Sequence, residues 1–183
     1  MSDNPSHNDP KLLFTGPSPF GWHKYESFML CPRKYAFEQV EKEQKGDTKA
    51  TSVGTLVHLG LAHYYKRKQG FDLYSPEEAI DSMDGNNADK ILAKQVVSSY
   101  ISFYSQEKVE VLHVEEVFSL DFQGAPLTSR VDLVFRSKGT GKVHVVDHKT
   151  TGRITPNHVK FYSPTGQMLV LRNIGASLWG ENF

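Results

Sequence analysis

Two stretches decide the fold: TSRVDLVF at residues 128–135 and VHVVDHKT at residues 143–150. Each sets one aspartate, Asp132 or Asp147, among valine, leucine and phenylalanine, the composition of a strand with at least one buried face. Between them Lys138-Gly139-Thr140-Gly141 reads as a turn that folds the two strands back on each other as a hairpin. The aspartates then approach each other near one end. Asp147 and Lys149 stand two apart, so on a strand they share a face. A charged pair inside a run of Val143, Val145 and Val146 is costly to bury unless it is paired or binds a metal.

Upstream, Val109 to Phe122 carries Val111, Val114, Val117 and Leu120 among polar residues and reads as a first strand, closed by a turn at Gly124-Ala125-Pro126. Before it the period is helical. A helix is expected from Lys24 to Val40 with a break at Pro32, followed by a charged loop over residues 41–50. A second helix is expected from Ser52 to Lys68, burying Val53, Leu56, Val57, Leu61, Tyr64 and Tyr65. Ser75-Pro76-Glu77-Glu78 is a helix start and Asp84-Gly85-Asn86-Asn87 a stop. A third long helix is expected from Asp89 to Ser105, and a last one from Ser163 to Asn173. Leu178 to Phe183 reads as a short closing strand or as the cut end of a longer chain.

Helices, then a strand meander, then a helix indicate an α/β or α+β sandwich with a mixed, mostly antiparallel central sheet. Residues 1–19, rich in Pro, Ser, Asn and Gly, read as a flexible arm. Residues 20–183 read as one domain, with a helical part at 20–107 and the sheet and closing helix at 108–183.

Composition narrows the function classes. The chain has 183 residues, 38% hydrophobic and 23% charged, as a globular domain does. No apolar run approaches the roughly 20 residues of a membrane span, and no secretory leader pattern opens the chain. The single cysteine, Cys31, supports neither a disulfide framework nor an all-cysteine metal site. The expected compartment is the cytoplasm. Net charge is zero and the pI about 7.1, so global charge does not advertise nucleic acid. The first third nevertheless carries Lys24, Arg33, Lys34, Lys42, Lys45, Lys49, Lys66, Arg67 and Lys68. They read equally as solvated helix faces or as a surface that tracks phosphates.

The Asp132, Asp147, Lys149 set also has two readings. One is a surface hairpin with an ordinary Asp–Lys pair. The other is phosphodiester hydrolysis, which needs a hard cation to polarise phosphate and activate water. Carboxylate oxygens suit Mg²⁺ or Mn²⁺, and a neighbouring lysine can orient the water or offset charge developing on phosphorus.

A resemblance joins these pieces. Arg130-Val131-Asp132 followed by Val145-Val146-Asp147-His148-Lys149-Thr150 resembles the split D…DxK motif of PD-(D/E)XK nucleases in its RecB-type "GRID…VVDYKT" form. Gly54-Thr55-Leu56-Val57-His58 resembles the "GTxxH" helix of that branch, and Ser27 to Tyr35 its "SxxxxCPRKY" helix. Val114-Glu115-Glu116-Val117-Phe118 matches its "vExxF" strand, and Gln167 opens its "QxxxY" helix. The matches fall in order from about residue 24 to 171.

The resemblance implies a restriction-endonuclease-like core with Asp132, Asp147, Lys149 and Gln167 as catalytic residues. It places His58, Asp132, Asp147 and the backbone carbonyl of His148 around Mg²⁺ or Mn²⁺, with Glu115 as a further carboxylate near the metal. Arg33, Lys34, Arg130 and Thr150 are the implied DNA contacts. Gln167 either contacts the DNA backbone or braces Lys149, and Gly54 permits close helix packing. The implied activity is a metal-dependent deoxyribonuclease. Exonuclease action on single- or double-stranded DNA ends is the expected mode, with endonuclease action left open, and recombination, repair or replication is the setting. A homo-oligomer or a helicase or recombination protein is the implied partner.

The chain also departs from the pattern. Ser129 replaces the glycine of "GRID", and Leu171 replaces the tyrosine of "QxxxY". Members with an iron–sulfur cluster add three C-terminal cysteines to the one matching Cys31. None occurs here, so no cluster is expected and Cys31 is expected to be a small buried residue. The missing tyrosine keeps a second class open, a catalytically weak DNA-binding or assembly module. A metal-dependent hydrolase of a small substrate is the third.

Overall fold

The computed structural model describes residues 21–41, 49–71, 73–155, 157 and 165–183. The expected arm at 1–19 and most of the loop expected at 41–50 lie outside them. Six helices and three strands are present among the described residues: α1 (Trp22–Leu30), α2 (Pro32–Tyr35), α3 (Lys49–Lys68), α4 (Pro76–Ser82), α5 (Asn87–Phe103), β1 (Val109–Phe122), β2 (Ala125–Ser137), β3 (Val143–Val146) and α6 (Gly166–Trp179).

Helix boundaries follow side chains that satisfy the first backbone N–H groups. Ser75 and Glu78 form a reciprocal capping box, with Glu78 N donating to Ser75 Oγ at 3.2 Å and Ser75 N to Glu78 Oε2 at 2.8 Å. Asn86 Oδ1 accepts from Ala88 N at 2.7 Å, so α5 starts two residues before the expected Asp89. Thr165 caps α6 through Met168 N, which moves that start to Gly166. The helix then runs past Asn173 to Trp179, because Ile174 and Gly175 continue its buried stripe. Residues 180–182 form a 3₁₀ turn. The end of the chain is therefore not a strand. The ring of Phe183 folds back onto Gly175, where an added Cβ would lie 2.3 Å from it. Pro32 breaks the first helix as expected: Cys31 is extended between α1 and α2, and residues 36–40 continue α2 as a π-helical turn.

The strands form an antiparallel sheet in the order β1-β2-β3. Gln123 and Gly124 both have positive φ (55° and 81°), the signature of a tight two-residue hairpin turn. Pro126 consequently lies inside β2, opposite Asp121, and not in the turn. One face of the sheet packs Val114 and Leu133 on Ala62 and Tyr65 of α3. The other packs Val131, Val134 and Val143 on Leu171 of α6. The opposite side of α3, at Leu56, Val57 and Leu61, meets Ile80 of α4 and Ala93 and Val97 of α5. The result is an α+β sandwich consistent with a restriction-endonuclease-like core.

The strand alternation is interrupted where it matters. Pairing in β1 shifts register between Val111 and His113. Glu115 then adopts φ 51°, a left-handed conformation rare for a side chain of this size. Val114 belongs to the α3-facing cluster while Phe118 belongs to the α6-facing one. Across the ladder Leu133 and Val131 are divided in the same way. Both strands thus change face at the level of Glu115 and Asp132.

His63 gives the fold a pH-dependent component. It is fully buried on α3, with Nδ1 3.2 Å from the Tyr74 carbonyl and no partner for Nε2 among the described residues. Burial holds its pKa below the ordinary 6.5. As pH falls through 6.5 the unfolded chain takes up this proton first, so stability drops and levels off only when the folded imidazole also titrates. Denaturant unfolding at pH 8, 6.5 and 5 should show the decline, and His63→Gln should reduce it. An equal decline in the variant would assign the pH dependence to other groups.

Candidate active site

The segment after β3 builds the site. The strand was expected to reach Lys149 but its ladder ends at Val146, because the His148 N–H donates to Asp132 Oδ2 at 2.5 Å instead of to a neighbouring strand. The departing segment closes on α3 at Gly54, where a Cβ would lie 2.9 Å from Thr150 Oγ1. Gly54 was expected to permit close packing of this helix, and the close approach is made by the loop at Thr150. His58, one turn along the same helix, reaches the sheet with Nδ1 3.4 Å from Asp132 Oδ2.

Asp132, Glu115 and His58 converge from β2, β1 and α3. One ligand atom from each lies within 4.8 Å of the other two. The strained φ of Glu115 belongs to this convergence, because unfavourable backbone conformations concentrate where a site over-determines them. Asp147 stands beside the group with its side chain only 3% exposed. Its Oδ2 pairs with Lys149 Nζ at 2.7 Å and its Oδ1 accepts from Gln167 Nε2 at 2.9 Å. Gln167 therefore braces Asp147, where the expectation was Lys149 or DNA.

Electrostatics separate the three carboxylates. Burial acts to raise Asp132, but the nearby His148 and His58 imidazoles and the His148 backbone N–H outweigh it and hold this carboxyl well below the usual range. Burial, followed by the nearby Asp132 charge, pushes Glu115 up to about 7. Burial also raises Asp147, with Lys149 offsetting part of the effect. At His58, burial opposes protonation, yet the hydrogen bond to Asp132 and the surrounding carboxylates leave the pKa above its ordinary value. The Asp132 charge acts to raise both Glu115 and Asp147, a repulsion among carboxylates that a bound cation would relieve. Oxygen-rich donors with one imidazole fit Mg²⁺ or Mn²⁺.

The cleft over these groups, about 360 Å³, is lined by His58, Asp132, Asp147, Lys149, Gln167, Arg130 and Ser129. Trp22, His23 and Glu26 of α1 form its wall. None of these three was singled out from the sequence. The Trp22 indole packs against Gly166 at the start of α6, where a Cβ would be 1.9 Å from the ring. Arg33 and Lys34 are exposed on α2 and are not among the lining residues. Cys31 is exposed, correcting the expectation of a buried residue. As the residue capping α2 it turns its Sγ to Lys34 N at 3.5 Å and away from any core. Leu171 is 4% exposed and packs into the sheet, so the position of the family tyrosine faces the core here.

No curated protein and no solved structure gives a significant match to this chain. A family model described as the PD-(D/E)XK nuclease superfamily matches residues 20–170. That span, most of the chain, runs from α1 past Gln167 and takes in every residue gathered in the cleft; the chain belongs to the PD-(D/E)XK nuclease superfamily.

Proposed function

We propose that this nuclease hydrolyses DNA phosphodiester bonds with Mg²⁺ or Mn²⁺ held by His58, Glu115 and Asp132, with Asp147 and the His148 carbonyl completing the surround. The observation that carries the reading is the convergence of His58, Glu115 and Asp132 within 4.8 Å, with His58 and Asp132 lining the cleft that also holds the Asp147–Lys149 pair. When bound, the cation polarises the phosphate and lowers the pKa of the attacking water. The remaining work falls to side chains. Asp147 holds the Lys149 ammonium at the cleft, and Gln167 fixes the other oxygen of Asp147 so that the pair keeps one orientation. Lys149 orients the water and offsets negative charge developing on the phosphorus oxygens. Arg130 lines the same cleft and offers a cation to the phosphate backbone. Arg33, Lys34 and Thr150 are exposed and serve as outlying DNA contacts.

The favoured mode is exonucleolytic, at single- or double-stranded ends produced in recombination, repair or replication, as in RecB-type enzymes. A neutral chain grips DNA weakly, so a second copy or a helicase partner would supply affinity. No helix among the described residues is long and apolar enough to cross a membrane. Incubation with linear and circular DNA, single- and double-stranded, with Mg²⁺, Mn²⁺ or EDTA tests the reading. Mononucleotide or short products from linear DNA alone, abolished by EDTA, are expected. Nicking of circles would replace the exonuclease mode by an endonuclease one. DNA retention without cleavage under any metal would leave a binding module.

A further inference from the structure

The side chain of His148 connects the metal-binding carboxylate to the helical core. Nδ1 lies 3.6 Å from Asp132 Oδ2, too long for a hydrogen bond but close enough that an N–H there is attracted and a lone pair repelled. Nε2 lies 3.2 Å from the Tyr100 hydroxyl on α5. That hydroxyl is 2.9 Å from the hydroxyl of Tyr65 on α3. The imidazole is also walled in: Tyr65 is stacked at 20° with centroids 6.5 Å apart, and Tyr100 meets it edge-on at 5.4 Å. Tyr65 is 1% exposed, so the far end of this chain of contacts is anchored in the core.

Burial pushes the hydroxyls of Tyr65 and Tyr100 above the ordinary phenol range, so both stay protonated and available as donors. One neutral tautomer of His148 then serves both sides. The proton sits on Nδ1 facing Asp132, Nε2 accepts from Tyr100, and the Tyr100 oxygen accepts from Tyr65. The opposite tautomer would aim a lone pair at the carboxylate and leave Tyr100 without this acceptor.

We propose that Tyr100 and Tyr65 are positioning residues that lock His148 in its Nδ1–H tautomer and, through that ring, set the carboxylate of Asp132. Neither tyrosine lines the cleft. They act on the site as outer-shell partners act on ligating residues in general. The inference rests on the proposed metal site for its affinity readout alone.

The test combines ¹⁵N-histidine NMR of EDTA-treated protein at pH 8 with Mn²⁺ titration calorimetry. The parent should show a protonated Nδ1 and an unprotonated Nε2 at His148. Tyr100→Phe keeps the ring and removes the donor. It should mix the two tautomers and weaken Mn²⁺ binding roughly tenfold, the lower end for loss of an outer-shell partner. Combined with His148→Ala it should weaken binding no further than His148→Ala alone, because Tyr100 acts through the imidazole. An Nε2–H tautomer in the parent would overturn the proposal. So would unchanged affinity in Tyr100→Phe, or losses that multiply in the double variant. A parent with the Nδ1–H tautomer that binds no Mn²⁺ would support the tautomer lock and count against the metal site.

Discussion

Replacing Asp132 with asparagine should lower DNA cleavage by more than about a hundredfold, beyond the cost of an outer-shell partner, and weaken Mn²⁺ binding in parallel. Asp132 is the residue on which the site converges. It contacts His58, receives the His148 backbone N–H and shares the cation-sized cluster with Glu115. Asparagine retains the size and one oxygen for the His148 N–H but carries no charge for a cation. Circular dichroism should therefore report a folded protein while calorimetry reports weakened metal binding. Cleavage near the parent rate in a folded Asp132→Asn protein would show that phosphodiester hydrolysis is organised elsewhere.

Lys149→Ala should give the complementary result. The Lys149 ammonium touches Asp147 and faces the cleft, and its side chain is 37% exposed, so truncation removes little packing. Catalytic rate at saturating DNA should fall by roughly 10²–10³, the range for losing one group that stabilises charge in the transition state. Mn²⁺ affinity should remain within a few-fold of the parent, because the proposed metal ligands His58, Glu115 and Asp132 are untouched. Single-turnover kinetics with separate metal and DNA titrations distinguish the outcomes. A loss confined to DNA affinity would make Lys149 a phosphate anchor instead of a participant in the chemical step.

Local chemistry made several features legible in the sequence. Ser75 and Glu78 stand at capping-box spacing, and the structure shows both hydrogen bonds. The hairpin between Asp132 and Asp147 follows from the glycine-bearing turn and the valine-rich flanks. Spacing on the hairpin singles out Asp132, Asp147 and Lys149, motif resemblance adds His58 and Gln167, and the fold brings all five to one cleft. Glu115 reads in sequence as a strand-end glutamate, a type that is ordinarily solvated. Its place beside Asp132 depends on a left-handed residue and a register shift in β1. The spacing of Val111, Val114 and Val117 was the visible trace of that irregularity, being three residues and not two.

What could not be read depends on contacts between distant parts of the chain. The length of β3 is set by a carboxylate on another strand capturing the His148 N–H. Gly54 carries no sign of Thr150 in its own neighbourhood, although their approach closes the site. Trp22 joins the cleft only because Gly166 lacks a side chain. Tyr100 reads in sequence as one more apolar position on an amphipathic helix, and its hydroxyl gains meaning only opposite His148. Periodicity reports which face of an element is buried; it does not report what the buried face meets.

In the proposed mechanism the face change at Glu115 and Asp132 gathers, with His58, the ligands of the catalytic cation. Anomalous diffraction from crystals grown with Mn²⁺ would locate that cation. A peak is expected within coordinating reach of His58, Glu115 and Asp132. A peak bound by other residues, with these three side chains making no contact to it in an enzyme that cleaves DNA, would contradict this mechanism.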